Sequence, residues 1–199
     1  MTARITRDFN FVAGVYFDNE LYMNMYEATI QFLVKSENIS EQNIAMERVK
    51  YFIYSLEHHI FVFEQNKEAI EKLSNANIKM CVLPEEPYDQ IIGIMLLVKA
   101  NAITEGRLVP DDIVLSSRMS DGVSCLHSND ENVGPFKFKG WWNDVTPNIH
   151  NVIGKSKKVV TLKKIPNNWD DLFLGWTNKK DDNLSTEIVF ARFESKTEK

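Results

Sequence analysis

Cysteine is scarce in this chain of 199 residues: Cys81 and Cys125 are the only two, and they lie far apart. Without a Cys-x-x-Cys pair there is neither a disulfide scaffold nor a zinc ribbon, and both residues read as buried thiols of a reducing compartment. Long apolar runs are also missing. The longest, at 91–98, is interrupted by Gly93 and falls far short of the roughly 20 residues that span a bilayer. No membrane association is expected. The first residues reach Arg4, Arg7 and Asp8 at once and show no apolar core with a small-residue cleavage site, so the expected compartment is the cytoplasm. Eight glycines and six prolines are too few for a collagen-like or low-complexity chain. There is no Walker loop, no G-x-G-x-x-G, no G-x-S-x-G and no His-Glu-x-x-His, which leaves the motif-marked enzyme classes unsupported.

What is present has the composition of a globular protein, with 44% hydrophobic and 26% charged residues. The net charge of -5 is unevenly spread. Residues 1–105 carry 9 basic and 15 acidic residues, while 136–164 hold seven lysines and one acid, Asp144.

Alternate apolar positions from Phe9 to Phe17 and again from Tyr22 to Val34 have the period of half-buried strands, so residues 5–35 read as a long hairpin turning at Asp18 and Asn19. Ser40 is the expected N-cap of the next element. Ala45, Val49, Phe52, Ile53, Leu56, Ile60 and Phe63 then recur at helical spacing, predicting one helix over 41–63. Tyr51, Tyr54, His58, Phe61 and Val62 form a second stripe on it, which calls for a cover, either the C-terminal part of the chain or a second copy. A protein partner and a homodimer are therefore expected, with this stripe as the interface.

A short helix at 67–73, a strand at 78–83, a buried helix at 89–105 capped by Gly106, and strands at 112–117 and 123–127 complete the pattern. The expected class is α+β: an N-terminal β-hairpin, one long amphipathic helix and one buried helix packed on a mostly antiparallel sheet, with a β-rich C-terminal extension. A loop of polar residues at 128–134 divides a core domain, 1–127, from a subdomain packed on it, 128–194, and 195–199 forms a disordered tail.

Three groups of residues could carry chemistry. Cys81, Glu85, Glu86 and Asp89 cluster where a strand gives way to a helix, a place suited to acid-base or nucleophilic work. The same acids also suit the positive end of a helix dipole as a plain solvated lead-in. Lys137, Lys139, Trp141 and Trp142, with Lys157 and Lys158 beyond them, could neutralise phosphates and stack bases. The alternation at 136–139 fits better a small sheet with aromatics inward and lysines outward, and the acidic first half does not support nucleic-acid binding. Cys125 and His127 share a strand face as half of a metal site or a thiolate-imidazole pair, without further ligands in view. His58 and His59 are adjacent on the expected helix and point too far apart to share an ion. No metal and no cofactor are implied.

The order of hairpin, two helices and further strands resembles, over about the first half of the chain, the tunnelling fold of pterin-handling and queuosine-pathway enzymes. The zinc-binding strand histidines of the pterin members have no counterparts here. Cys81, Pro84 and Asp89 do not follow the queuosine reductase spacing, so no family is assigned. The favoured reading of the sequence is a non-catalytic intracellular binding or regulatory protein acting through protein-protein contacts. The alternatives are a small enzyme using Cys81, Glu85, Glu86 and Asp89, and a nucleic-acid or nucleotide binder using 136–164.

Overall fold

The computed structural model describes residues 3–128, 132–149 and 166–176. The first two strands, β1 (Arg4–Phe17) and β2 (Glu20–Val34), form the expected hairpin, with Phe9 opposite Ala28 and Phe11 opposite Tyr26. Asp18 and Asn19 turn it with positive φ, a conformation that short polar side chains tolerate. Helix α1 (Ile39–Ser55) follows, then β3 (Ile60–Phe63), α2 (Lys67–Asn75), β4 (Met80–Leu83), α3 (Asp89–Thr104), β5 (Leu108–Ser117) and β6 (Ser124–Ser128). The strands make one mixed sheet in the order β4-β3-β1-β2-β5-β6, an α+β architecture. β1 and β2, β2 and β5, and β5 and β6 run antiparallel, whereas β3 is parallel to both β1 and β4.

The long helix expected over 41–63 is two elements. α1 ends at Ser55, His58 adopts φ 61, and its amide donates to the Val12 carbonyl at 2.9 Å, which turns the chain onto the edge of β1. Ile60, Phe61, Val62 and Phe63 then form a strand buried on both faces, and four apolar residues in a row satisfy a helix stripe and such a strand equally well. The approach of β3 to β1 is close: a Cβ at Gly14 would sit 2.3 Å from Ile60 Cδ1, so a larger residue there would have to displace the end of the Ile60 side chain. The N-cap is Asn38, whose Oδ1 accepts from the Ser40 amide at 2.9 Å, in place of Ser40 itself. The later helices stand where the periodicity puts them.

The main core lies between one face of the sheet and the helices α1 and α3, and a smaller one places Ala69 and Leu73 of α2 against Ile60, Val62 and Met80. No helix among the described residues is long and apolar enough to cross a membrane. The described parts of the C-terminal stretch belong to the main core, through Phe136, Trp141, Trp142 and Trp169. The sheet expected around 136–142 is absent, replaced by two short 3-10 turns, Gly134–Lys137 and Trp141–Asn143. Indole N–H groups provide the reason: Trp142 Nε1 donates back to the carbonyls of Phe136 and Phe138 at 3.2 and 3.1 Å, curling the segment on itself. The strands expected near 157–165 and 187–193, and the tail at 195–199, lie outside the described residues.

Two buried cations fasten this stretch to the helices. Lys99, fully buried on α3, donates to the carbonyls of Trp141, Asp144 and Thr146 at 2.9, 2.7 and 3.1 Å. Arg48 of α1 donates through Nε to Leu174 O at 2.8 Å, and through Nη1 to Glu105 Oε1 at 2.6 Å and Ile103 O at 3.1 Å. Its guanidinium packs 3.6 Å from the ring centre of Trp176 and 4.9 Å from that of Trp169, a geometry that attracts a cation to an aromatic face.

Replacing Lys99 with methionine removes the ammonium and strands three carbonyls, so urea unfolding should show a loss of about 3–5 kcal/mol. Burial lowers the Lys99 ammonium to about 8 against the opposing pull of Asp144, below the value of about 10.4 for an unfolded lysine. The native chain therefore releases this proton first. Between about pH 8 and about pH 10 the unfolded chain binds more protons, and wild-type stability should rise relative to the variant. Denaturation of both proteins at about pH 7 and about pH 9.5 measures the two effects.

Candidate functional site

At the turn end of the hairpin a cavity of about 370 Å³ opens on the helix side of the sheet. This is within the range of small-molecule sites. Val15 and Phe17 from β1, Asn24 from β2, Pro87, Tyr88 and Asp89 at the start of α3, Met119, Ser120 and Val123 after β5, and Cys125 of β6 line it. Tyr88 stands exposed at the mouth, with its ring edge-on to Phe17 at 5.2 Å between centres.

The walls are mostly apolar, and the polar groups among them are few and committed. Asn24 is 2% exposed and occupies an inward position of β2, where the neighbours in the alternation are Tyr26, Ala28 and Ile30. Its Oδ1 accepts from the amides of Met25 at 3.0 Å and Met119 at 3.3 Å, which fixes the orientation of the side chain. Its Nδ2 and Asp89 Oδ2 are buried without a hydrogen-bond partner. Such atoms carry a desolvation cost of about 1–3 kcal/mol each unless something arrives to meet them. Behind Asn24, burial pushes the Tyr26 phenol far up, opposed by the Asn24 amide and reinforced by the charge of Asp89. Burial also raises the Cys125 thiol, and the Asp89 charge adds to the effect, so Cys125 lines the cavity as a neutral S–H.

Of the four residues expected to work together, only Asp89 reaches this cavity. Cys81 of β4 is completely buried in the main core, and burial holds its thiol protonated. Glu85 is exposed and Glu86 half-buried on the lead-in to α3. The strand pleat explains the separation, because it turns Cys81 toward the core while the chain continues outward through two prolines. Lys137 and Lys139 are exposed, but Trp141 and Trp142 are each only 8% exposed, and Trp141 donates its indole N–H to Val82 O at 3.1 Å. Neither indole is presented for base stacking. Lys157 and Lys158 lie outside the described residues. Among the five residues of the second stripe, Tyr51 is covered edge-on by Trp169 at 6.0 Å, Phe61 and Val62 are buried in β3, and Tyr54 and His58 face solvent. The stripe expected as an interface is thus divided among a strand, a covered position and an exposed helix end. His127 is buried next along β6 from the cavity, and no three His, Cys, Asp or Glu side chains converge as metal ligands among the described residues.

Sequence reasoning missed Asn24 and Met119 as site residues. A signal for Asn24 existed: an amide side chain at an inward position of an otherwise apolar alternation is an anomaly that burial has to justify.

No family model matches the chain, and no curated protein matches it. Solved structures similar to it include the 6-pyruvoyltetrahydropterin synthase of Plasmodium vivax, at 12% identity and a TM-score of 0.42, covering 64% of this chain and 97% of that one. Another is the 6-pyruvoyl tetrahydropterin synthase of Plasmodium falciparum, at 14% identity and a TM-score of 0.40, covering 63% of this chain and 96% of that one. These neighbours are enzymes. Their names run against the expectation of a non-catalytic binding or regulatory protein, which is not carried further.

The two thiols should separate cleanly in a labelling experiment. An aromatic disulfide reagent at neutral pH is expected to modify Cys125 slowly and Cys81 only after unfolding, as read by mass spectrometry of peptides. Asp89→Asn removes the charge that helps hold Cys125 protonated, so its labelling should become several-fold faster. An unchanged Cys125 rate in that variant would show that Asp89 does not face the thiol.

Proposed function

We infer that the chain is a small enzyme that binds a compact, largely apolar small molecule in the cavity at the start of α3, with Asp89 as its polar anchor. The observation that carries this reading is the buried, unpaired Oδ2 of Asp89 beside an apolar-walled cavity. An ionised carboxylate is an acceptor only, so the ligand must present an N–H or O–H donor or an acidic C–H at that point. The first turn of α3 supports the anion through its free amides and dipole, which lets Asp89 remain in an apolar wall. The enzyme expected from the strand-to-helix loop is in this way reduced to Asp89, joined by Asn24 and Cys125 in place of Cys81, Glu85 and Glu86. A cytoplasmic location fits the two free thiols, Cys81 and Cys125.

Ligand-observed NMR with a panel of neutral planar fragments carrying amide or hydroxyl donors tests the assignment. Fragments that bind the wild type should weaken by roughly tenfold or more in Asp89→Asn, a loss of about 1.4 kcal/mol. The same substitution exchanges one polar group for another of equal size at a half-buried helix start, and should change stability by no more than about 1 kcal/mol. Fragments that bind the variant as tightly as the wild type, or that perturb only amides remote from α3, would overturn the reading.

A further inference from the structure

We propose that this cavity is arranged for proton abstraction next to a carbonyl, with Asp89 as the base, the Asn24 amide as the donor to the carbonyl oxygen, and a neutral, compact ketone or aldehyde as the substrate class. The inference deepens the small-enzyme reading and rests on it. Three observations carry it.

The first is that acceptor and donor are both unspent and both border one cavity. Asp89 Oδ2 accepts nothing within the fold, and Asn24 Nδ2, which faces the equally unpaired Tyr26 hydroxyl, completes no hydrogen bond. The second is that the donor is held in advance. The Met25 and Met119 amides occupy Asn24 Oδ1, so the side chain cannot rotate to present its oxygen, and a donor that needs no reorganisation is the kind that stabilises developing negative charge. The third is the character of the walls. Val15 and Phe17 present apolar surface beside the polar pair, which makes each remaining hydrogen bond count for more.

The chemistry balances without a co-reactant. Asp89 forms an O–H bond with the proton of the C–H beside the carbonyl. The C–H electron pair becomes a C=C bond, and the carbonyl π pair moves to oxygen, giving an enolate that accepts from Asn24 Nδ2. Return of the proton from Asp89 to the same carbon restores the ketone, so nothing is oxidised or reduced. An anionic substrate is disfavoured by the charge of Asp89 itself, and Cys125, retained as a thiol, adds no second negative charge beside the enolate.

The test uses 2-indanone, a flat neutral ketone with acidic C–H groups on both sides of its carbonyl, in heavy water. Proton NMR follows loss of the methylene signal, and backbone amide shifts at Asp89 and Met119 report binding. Wild type should accelerate exchange over buffer. Asp89→Asn, and Asn24→Asp, which keeps the acceptor for the two amides but replaces the donor, should each lose on the order of a hundredfold of that acceleration. Backbone spectra show whether the variants are folded, and the wild-type rate decides the matter if they are not. Binding of 2-indanone at these amides with exchange no faster than in buffer would overturn the proton-transfer inference and leave the cavity as a binding site. Exchange that survives Asp89→Asn, or failure of the ketone to bind where donor-bearing fragments do, would overturn it as well. Failure of the donor-bearing fragments to bind at α3 would instead remove the small-enzyme reading beneath it.

Discussion

A fully buried ammonium must be surrounded by oxygen atoms, and much of this molecule is arranged around that requirement at Lys99. Nothing on α3 can supply three acceptors, since the helix carbonyls are already engaged with its own amides. They come from the turn that carries Trp141, Asp144 and Thr146, more than forty residues later. Once the turn is seated, Trp141 reaches across to Val82 of β4 and Trp169 donates to Val145. α3 is thus tied at mid-length to both the sheet and the C-terminal stretch. Arg48 repeats the arrangement on α1 with Leu174, Ile103 and Glu105. The outer faces of both helices are covered by aromatic residues whose positions two cations determine.

Rigid placement of α3 also places its first turn. Asp89 stands at one end of a helix whose middle cannot slide, opposite a hairpin whose register places Asn24 across from Ala13. Two polar atoms left unpaired at fixed positions reduce stability, and neighbouring parts of the fold compensate: Phe11 stacks on Tyr26, and Phe61 packs edge-on against the same ring. Local discord of this kind, which the Tyr26 hydroxyl shares, is where a ligand is most sensibly sought.

The sequence was most legible where one periodicity ran long enough to exclude others. The hairpin from Arg4 to Val34 and the helix over Asp89–Thr104 are of this type, one by strict alternation and the other by length. β3 was not legible because Ile60 and Phe63 extend one helical stripe of α1 and Phe61 and Val62 the other, and only the backbone turn at His58 separates them. The aromatic segment after residue 134 looked like a strand since Phe, Lys, Phe and Lys alternate, yet the back-donation from Trp142 is a contact between residues that alternation does not encode. Of the candidate site, Asp89 was found from its place at a strand-to-helix passage. Asn24 and Met119 were not, since they meet through an amide pairing 95 residues apart in sequence. Burial of an amide among apolar neighbours was the one legible trace of it.

The distance along the chain between Lys99 and its acceptors has a consequence for synthesis. During translation the hairpin, being local, can pair as soon as it emerges, and α1 and α3 can collapse on it soon afterwards. Until residues 141–146 leave the ribosome, however, Lys99 has no oxygen cage, and until 169–176 follow, Arg48 lacks its tryptophans. The nascent chain therefore passes through an interval in which two helices expose apolar flanks with cations set among them. That interval is the stage at which a chaperone would be most needed, and slow codons placed just after α3 would prolong it.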